Sequence, residues 1–118
     1  MKIRIKGNSL RYRLTKTDVE ILASKGYLEE RTNFGEQTLI YAVKRASVGR
    51  LEAVFKDNSI VLLMPDSMAS ELTTTDRIGF EDTSGQLYLL IEKDFKCLDS
   101  VAEDQSDNYP NPREIAIE

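Results

Sequence analysis

Lys6-Gly7-Asn8-Ser9-Leu10 and, fifty residues further on, Lys56-Asp57-Asn58-Ser59-Ile60 are the same turn written twice. Gly-Asn and Asp-Asn are pairs that accept positive φ, as the two central residues of a tight hairpin require, and each lies between runs rich in β-formers. Two hairpins follow: residues 2–5 with 10–14, and residues 51–55 with 60–64.

Working outward, each hairpin is followed by a helix start, Thr15 with Thr17-Asp18 in the first half and Pro65-Asp66-Ser67 in the second. Val19, Ile21 and Leu22, and Met68 with Leu72, give each short helix a narrow apolar face, and Gly26 is placed to end the first helix. A second strand pair closes each half: residues 28–32 with 38–43 across Asn33-Phe34-Gly35, and residues 78–81 with 87–92 across Thr83-Ser84-Gly85. Gly35-Glu36-Gln37 and Gly85-Gln86 fit the same fifty-residue shift. Chance likeness between two β-rich stretches is the competing account. Duplication predicts more: an α+β, mostly β fold of hairpin-helix-hairpin units, with repeat 1 near residues 1–46 and repeat 2 near 50–96. Each unit alone leaves a sheet face bare, so two units pair about a pseudo-twofold axis into a small barrel or sandwich. The expected layout is one β-rich domain over residues 1–98 and an acidic tail over 99–118, where aliphatic residues thin out.

Composition narrows the function. A chain of 118 residues, 41% hydrophobic and 31% charged, suits one core. The longest apolar runs are five residues, against about 20 for a bilayer span, and Lys2, Arg4 and Lys6 alternate with Ile3 and Ile5 where a secretory signal would be continuously apolar. A cytoplasmic protein without membrane partners is expected. Cys97 is the single cysteine, excluding an intrachain disulfide and a four-thiolate zinc site. The absence of histidine removes the usual neutral-pH base and imidazole ligands, which turns the expectation away from an enzyme. Net charge is −4, opposing nucleic acid as a partner. The charge is divided, however: residues 1–50 carry 11 Lys/Arg against 5 Asp/Glu, and residues 51–118 carry 5 against 15.

Two constellations have chemistry in them. Arg4, Lys6, Arg11 and Arg13 share the first hairpin, with Lys2 and Lys16 at its margins, and strand alternation places several on one face. The matching positions of the second half are Val54, Lys56, Val61 and Leu63, so the basic face belongs to one copy. Arginine offers planar donors to carboxylate and phosphate, which suits an anionic ligand, a protein partner, nucleic acid or the chain's own tail; a solvated face balanced by Glu29, Glu30 and Glu52 is the plain alternative. The second constellation is Asp94, Asp99, Glu103, Asp104 and Asp107, oxygen ligands for a divalent cation or for metal-assisted hydrolysis. Its spacing lacks the glycine and terminal glutamate of a calcium loop, and a solvated acidic tail is the favoured account of it; no other cofactor is expected. Cys97, among these acids, reads as a small core residue rather than a reactive thiol. The tyrosines read as packing residues.

Two resemblances add to this. Residues 1–14 (MKIRIKGNSLRYRL), Phe34-Gly35-Glu36-Gln37-Thr38-Leu39, Glu92-Lys93-Asp94-Phe95-Lys96-Cys97-Leu98 and Tyr109-Pro110-Asn111-Pro112 resemble a family of short bacterial proteins of unknown function, which implies no activity. Ile60-Val61-Leu62-Leu63-Met64-Pro65, Leu72, Thr75-Asp76-Arg77-Ile78 and residues 87–92 are similar to the AbrB-like swapped-hairpin units of bacterial transition-state regulators. That second resemblance implies two units intertwined in one chain and, as an alternative function, a DNA-binding pseudodimer. Thr75-Asp76 stands where that family has Gly-Asp, and the acidic charge departs from it. A noncatalytic module that binds an anionic partner through the basic hairpin is the leading expectation.

Overall fold

The computed structural model describes residues 1–95 and contains eight strands and two helices: β1 (Lys2–Lys6), β2 (Ser9–Leu14), α1 (Lys16–Lys25), β3 (Tyr27–Asn33), β4 (Thr38–Ala46), β5 (Glu52–Lys56), β6 (Ser59–Pro65), α2 (Asp66–Thr74), β7 (Gly79–Ser84) and β8 (Leu87–Lys93). The hairpin-helix-hairpin order occurs twice. The turns that announced the repeat close Lys6 on Ser9 and Lys56 on Ser59. Asp57 and Asn58 both have positive φ, as a type I′ turn demands, whereas in the first turn Gly7 alone does, as in type II′.

The strands form two four-stranded sheets, β1-β2-β8-β7 and β3-β4-β6-β5. Each sheet takes one hairpin from each half, and the joints are the parallel pairs β2·β8 and β4·β6. The halves are thus exchanged about a pseudo-twofold relation, as the duplication required and as the swapped-hairpin resemblance implied. The sheets pack as a sandwich; a closed barrel, the other geometry expected, is not found among the described residues. The fifty-residue shift holds across the first hairpins and the helices, where Val19 and Leu22 match Ala69 and Leu72. In the second hairpins residues 27–32 fall on 79–84, fifty-two further on, and 39–44 fall on 87–92, forty-eight further on. The segment after α2 is longer by two residues and the β3–β4 connection longer by four than their counterparts, so Gly35 and Gly85 occupy connections of unequal length.

Alternation places Leu10, Tyr12 and Leu14 of β2, Leu89 and Ile91 of β8, Val43 of β4, and Leu62 and Met64 of β6 in one core, all at most 7% exposed. Val19 and Leu22 of α1 and Ala69 and Leu72 of α2 join it, and the helices pack on each other. Fully burying a leucine contributes about 2 kcal/mol, so this shared interior holds the exchanged halves together. Helix α1 begins at a capping box: Asp18 N–H donates to Thr15 Oγ1 at 3.2 Å, and Thr15 N–H donates to Asp18 Oδ2 at 2.9 Å. It ends at Gly26, whose φ of 74° costs a glycine least.

Asp18 has a second task. The Met1 ammonium lies 2.8 Å from its Oδ2 and 3.7 Å from Glu30 Oε2. The pseudo-twofold counterpart is Leu51 N–H, which donates to Asp82 Oδ2 at 3.0 Å, with Asp82 in the place of Glu30. Burial pushes the Asp18 carboxyl up, but the bond from the ammonium and those from the Thr15 backbone and hydroxyl outweigh it and hold the group below 3.8. A depressed carboxyl stabilises the fold above the unfolded-state value and loses that contribution as pH falls through the folded value. Asp18→Asn is therefore expected to cost on the order of 1 kcal/mol at neutral pH. In denaturant titrations that cost should narrow steadily as pH drops below 3.8; a cost independent of pH would show that the charge is not what matters.

Candidate functional site

On the outer face of the β1-β2-β8-β7 sheet the register sets three rows side by side: Lys2, Arg13, Glu92 and Gly79; Arg4, Arg11, Leu90 and Glu81; Lys6, Ser9, Tyr88 and Thr83. The four basic residues singled out in the sequence, Arg4, Lys6, Arg11 and Arg13, are therefore brought onto one face, with Lys2 beside them. The reason is the period of two: Leu10, Tyr12 and Leu14 turn inward, so Arg11 and Arg13 must turn outward, and the antiparallel register carries Lys2, Arg4 and Lys6 with them.

The cations are not equivalent. Glu92, from the other half of the chain, accepts Arg11 Nε at 2.8 Å and Arg13 Nε at 3.1 Å, and Arg11 Nη2 also bonds the same oxygen. Asp94 pairs with Lys2 Nζ at 3.1 Å and lies 4.0 Å from Arg13 Nη1. The carboxylates of Glu92 and Asp94 are only 16% and 15% exposed, tucked beneath the basic side chains. Arg4 and Lys6 are exposed and have no carboxylate within ion-pair distance among the described residues. Arg4 and Arg11 line two adjoining depressions of about 220 and 270 Å³, one shared with Lys2 and Arg13 and the other with Lys6 and Tyr88. Tyr88 donates its hydroxyl to Glu81; that bond, then burial and the charges of Glu81 and Glu92, raise its pKa and keep the phenol a donor. A larger hollow of about 540 Å³, between α1, α2 and the end of β8, has an apolar floor of Leu14, Val19 and Leu72 and lacks the cation cluster.

The twin face shows what the fold does not require. On the β3-β4-β6-β5 sheet the positions of Arg4, Arg11 and Arg13 hold Val54, Val61 and Leu63, and the position of Glu92 holds Lys44. Nothing in the architecture demands arginine there, so the basic face is a property of one copy. Sequence reasoning missed Glu92 as the counter-ion because it is 81 residues from Arg11 and joins it only through the parallel pair.

Of the acidic constellation, Asp94 is committed to Lys2 and Arg13, while Asp99, Glu103, Asp104 and Asp107 lie outside the described residues, as does Cys97. Among the described residues no group of three or more potential metal ligands gathers, and no helix is long and apolar enough to cross a membrane. Tyr12 is fully buried and its pKa raised by burial and by Tyr41, a packing role; Tyr27 and Tyr88 lie toward the surface, each bonded to a glutamate.

No curated protein and no solved structure matches the chain. A family model described as a family of unknown function (DUF7009) matches residues 1–113, and the chain belongs to that family.

Proposed function

We propose that this protein is a noncatalytic cytoplasmic module that binds an anionic partner, an acidic protein segment in the first instance, on the outer face of the β1-β2-β8-β7 sheet. The observation that carries this reading is the inequality of the cations: Glu92 and Asp94 hold Arg11, Arg13 and Lys2 in place, and Arg4 and Lys6 stand beside them exposed, without an ionic partner among the described residues. Fixed guanidinium groups lose little freedom on binding, and Arg4 offers the planar fork that suits a carboxylate. An acidic protein segment is favoured over nucleic acid because Arg4 and Lys6 are the two cations of this face without an ionic partner among the described residues, few against the many phosphate contacts that duplex binding draws on.

The test is anisotropy with a labelled oligoglutamate peptide, run beside a labelled DNA duplex over a salt series. Arg4→Gln with Lys6→Gln removes two charges without orphaning Glu92, so stability should hold while peptide affinity falls by about tenfold or more, the loss of two charge-assisted contacts. Absence of peptide binding to the unaltered protein at low salt, or equal binding by the variant, would refute the reading. Tighter binding to the duplex, falling steeply with salt, would favour the DNA-binding alternative.

A further inference from the structure

Strand β5 is an edge of the β3-β4-β6-β5 sheet: β6 lies on one side and no strand of that sheet among the described residues on the other. Asp57 and Asn58 turn it back on β6, so Glu52, Val54 and Lys56 exchange backbone bonds with Leu63, Val61 and Ser59, and the N–H and C=O groups of Ala53 and Phe55 point to the open edge. Leu51, the next residue of that parity, is already satisfied, because its N–H goes to Asp82 of β7. Along the edge itself the side chains are uncovered: Phe55 is 76% exposed and Val54 45%. Glu52 and Lys56 have no ionic partner among the described residues. Such an edge accepts an added strand.

Laid against itself in the opposite direction, Glu52-Ala53-Val54-Phe55-Lys56 is its own complement. We infer that β5 pairs with β5 of a second copy of the chain, antiparallel about a twofold axis at Val54, which joins two four-stranded sheets into one of eight. Glu52 then lies opposite the partner's Lys56, Ala53 opposite the partner's Phe55, and Val54 opposite its own counterpart. Both free charges gain an opposite neighbour, and the small Ala53 leaves room for the ring it faces. The open N–H and C=O groups of Ala53 and Phe55 meet those of the partner's Phe55 and the partner's Ala53, which forms four backbone bonds across the axis.

The other three sheet edges among the described residues repel their own copies. β1, the pseudo-twofold counterpart of β5, would set Arg4 against Arg4 and Lys2 against Lys6. Matching Glu29 with Arg31 across two copies of β3 would set Glu30 against Glu30, and β7 carries Glu81 and Asp82 with no cation. Charge of one sign is a common means of keeping an edge strand from pairing, and β5 alone of the four lacks it. The divergence of the two halves thus left one hairpin basic and the edge of the other self-complementary.

The inference does not rest on the anion-binding reading: the basic face belongs to the other sheet, and β5 lies beside β7, the strand of that sheet farthest from β1, so Arg4 and Lys6 stay open. Sedimentation equilibrium on the full chain, without any peptide, tests it. The contact is small, so half-association is expected at about 10–100 µM. Glu52→Lys sets two pairs of cations across the axis and Lys56→Glu two pairs of carboxylates, and each should raise the dissociation constant about tenfold or more. Glu52→Lys combined with Lys56→Glu restores both attractions and should restore the dimer, and the two single variants, mixed, should prefer each other to themselves. Dilute samples of all three variants should keep the urea midpoint of the unaltered monomer, which separates lost pairing from lost fold. An unaltered chain that sediments as a monomer up to about 1 mM would overturn the proposal. A dimer indifferent to the single charge reversals would overturn it too, because another surface would then hold it together.

Discussion

Leu62→Ala and Leu89→Ala should each lower the free energy of unfolding by about 2–5 kcal/mol, the range for leucines removed from rigid cores. Both are fully buried. Leu62 lies between Val43 and Ala53 across the β4-β6-β5 sheet, and Leu89 adjoins Leu10 across the β2·β8 joint. Each truncation therefore leaves a hollow walled by both halves of the chain, where neither half can relax independently. The decisive comparison is with the next residue along. Leu63 and Leu90 are chemically identical but turn to the outer faces, where they are only partly covered. Truncating them should cost about half as much or less, since part of the area they lose already borders water and the space they leave opens to solvent instead of closing as a cavity. Urea titrations of the four variants measure this directly. Equal costs within each adjacent pair would mean that the face assignment, and with it the placement of Arg11 and Arg13 on the outside, is wrong, because a one-residue slip moves every side chain to the other face.

How much of this was legible depended on range. Local chemistry was readable: paired turn residues, Thr15 as an N-cap, Gly26 as a helix stop, and the alternation that aims Arg11 and Arg13 outward are each written within a few residues. The exchange of hairpins was not written locally. A parallel pair such as β2·β8 has no turn of its own to mark it, and its partners are separated by about the length of the whole fold. The internal duplication, together with the swapped-hairpin resemblance, carried that expectation. The same distance hid the structure of the candidate site. The basic residues were visible as a run, but which of them are held and which lack an ionic partner among the described residues is decided by Glu92 and Asp94 at the far end of the described chain. The constant fifty-residue shift was too simple because connections take insertions freely while strands do not. Two compensating changes, one after α2 and one between β3 and β4, left the sum nearly intact and concealed both.

The exchanged topology makes its largest prediction when the chain is cut. Residues 47–51 link β4 to β5, and Gly49 there is exposed with open space around it. Produced separately, residues 1–48 and 49–118 should each fail to show cooperative unfolding as monomers, because each holds two hairpins that belong to different sheets and has nothing to lay against their apolar faces. Mixed in equal amounts they should associate one to one and recover the circular dichroism and unfolding transition of the intact chain, with a midpoint that rises with concentration. Self-association is the competitor, since the halves are alike enough to stand in for each other, and the charges decide against it. In the intact protein β2 lies beside β8 and Arg13 faces Glu92. Two copies of the first half would put β4 in the place of β8, and the residue there is Lys44. A cation would then replace the carboxylate that holds Arg11 and Arg13, turning the attraction at the joint into repulsion. Lys44→Glu should accordingly promote pairing of the first half with itself, and sedimentation equilibrium on that fragment would register the change. A first half that folds alone as a cooperative monomer would instead mean that its two hairpins share one sheet, and the exchange of hairpins would have to be abandoned.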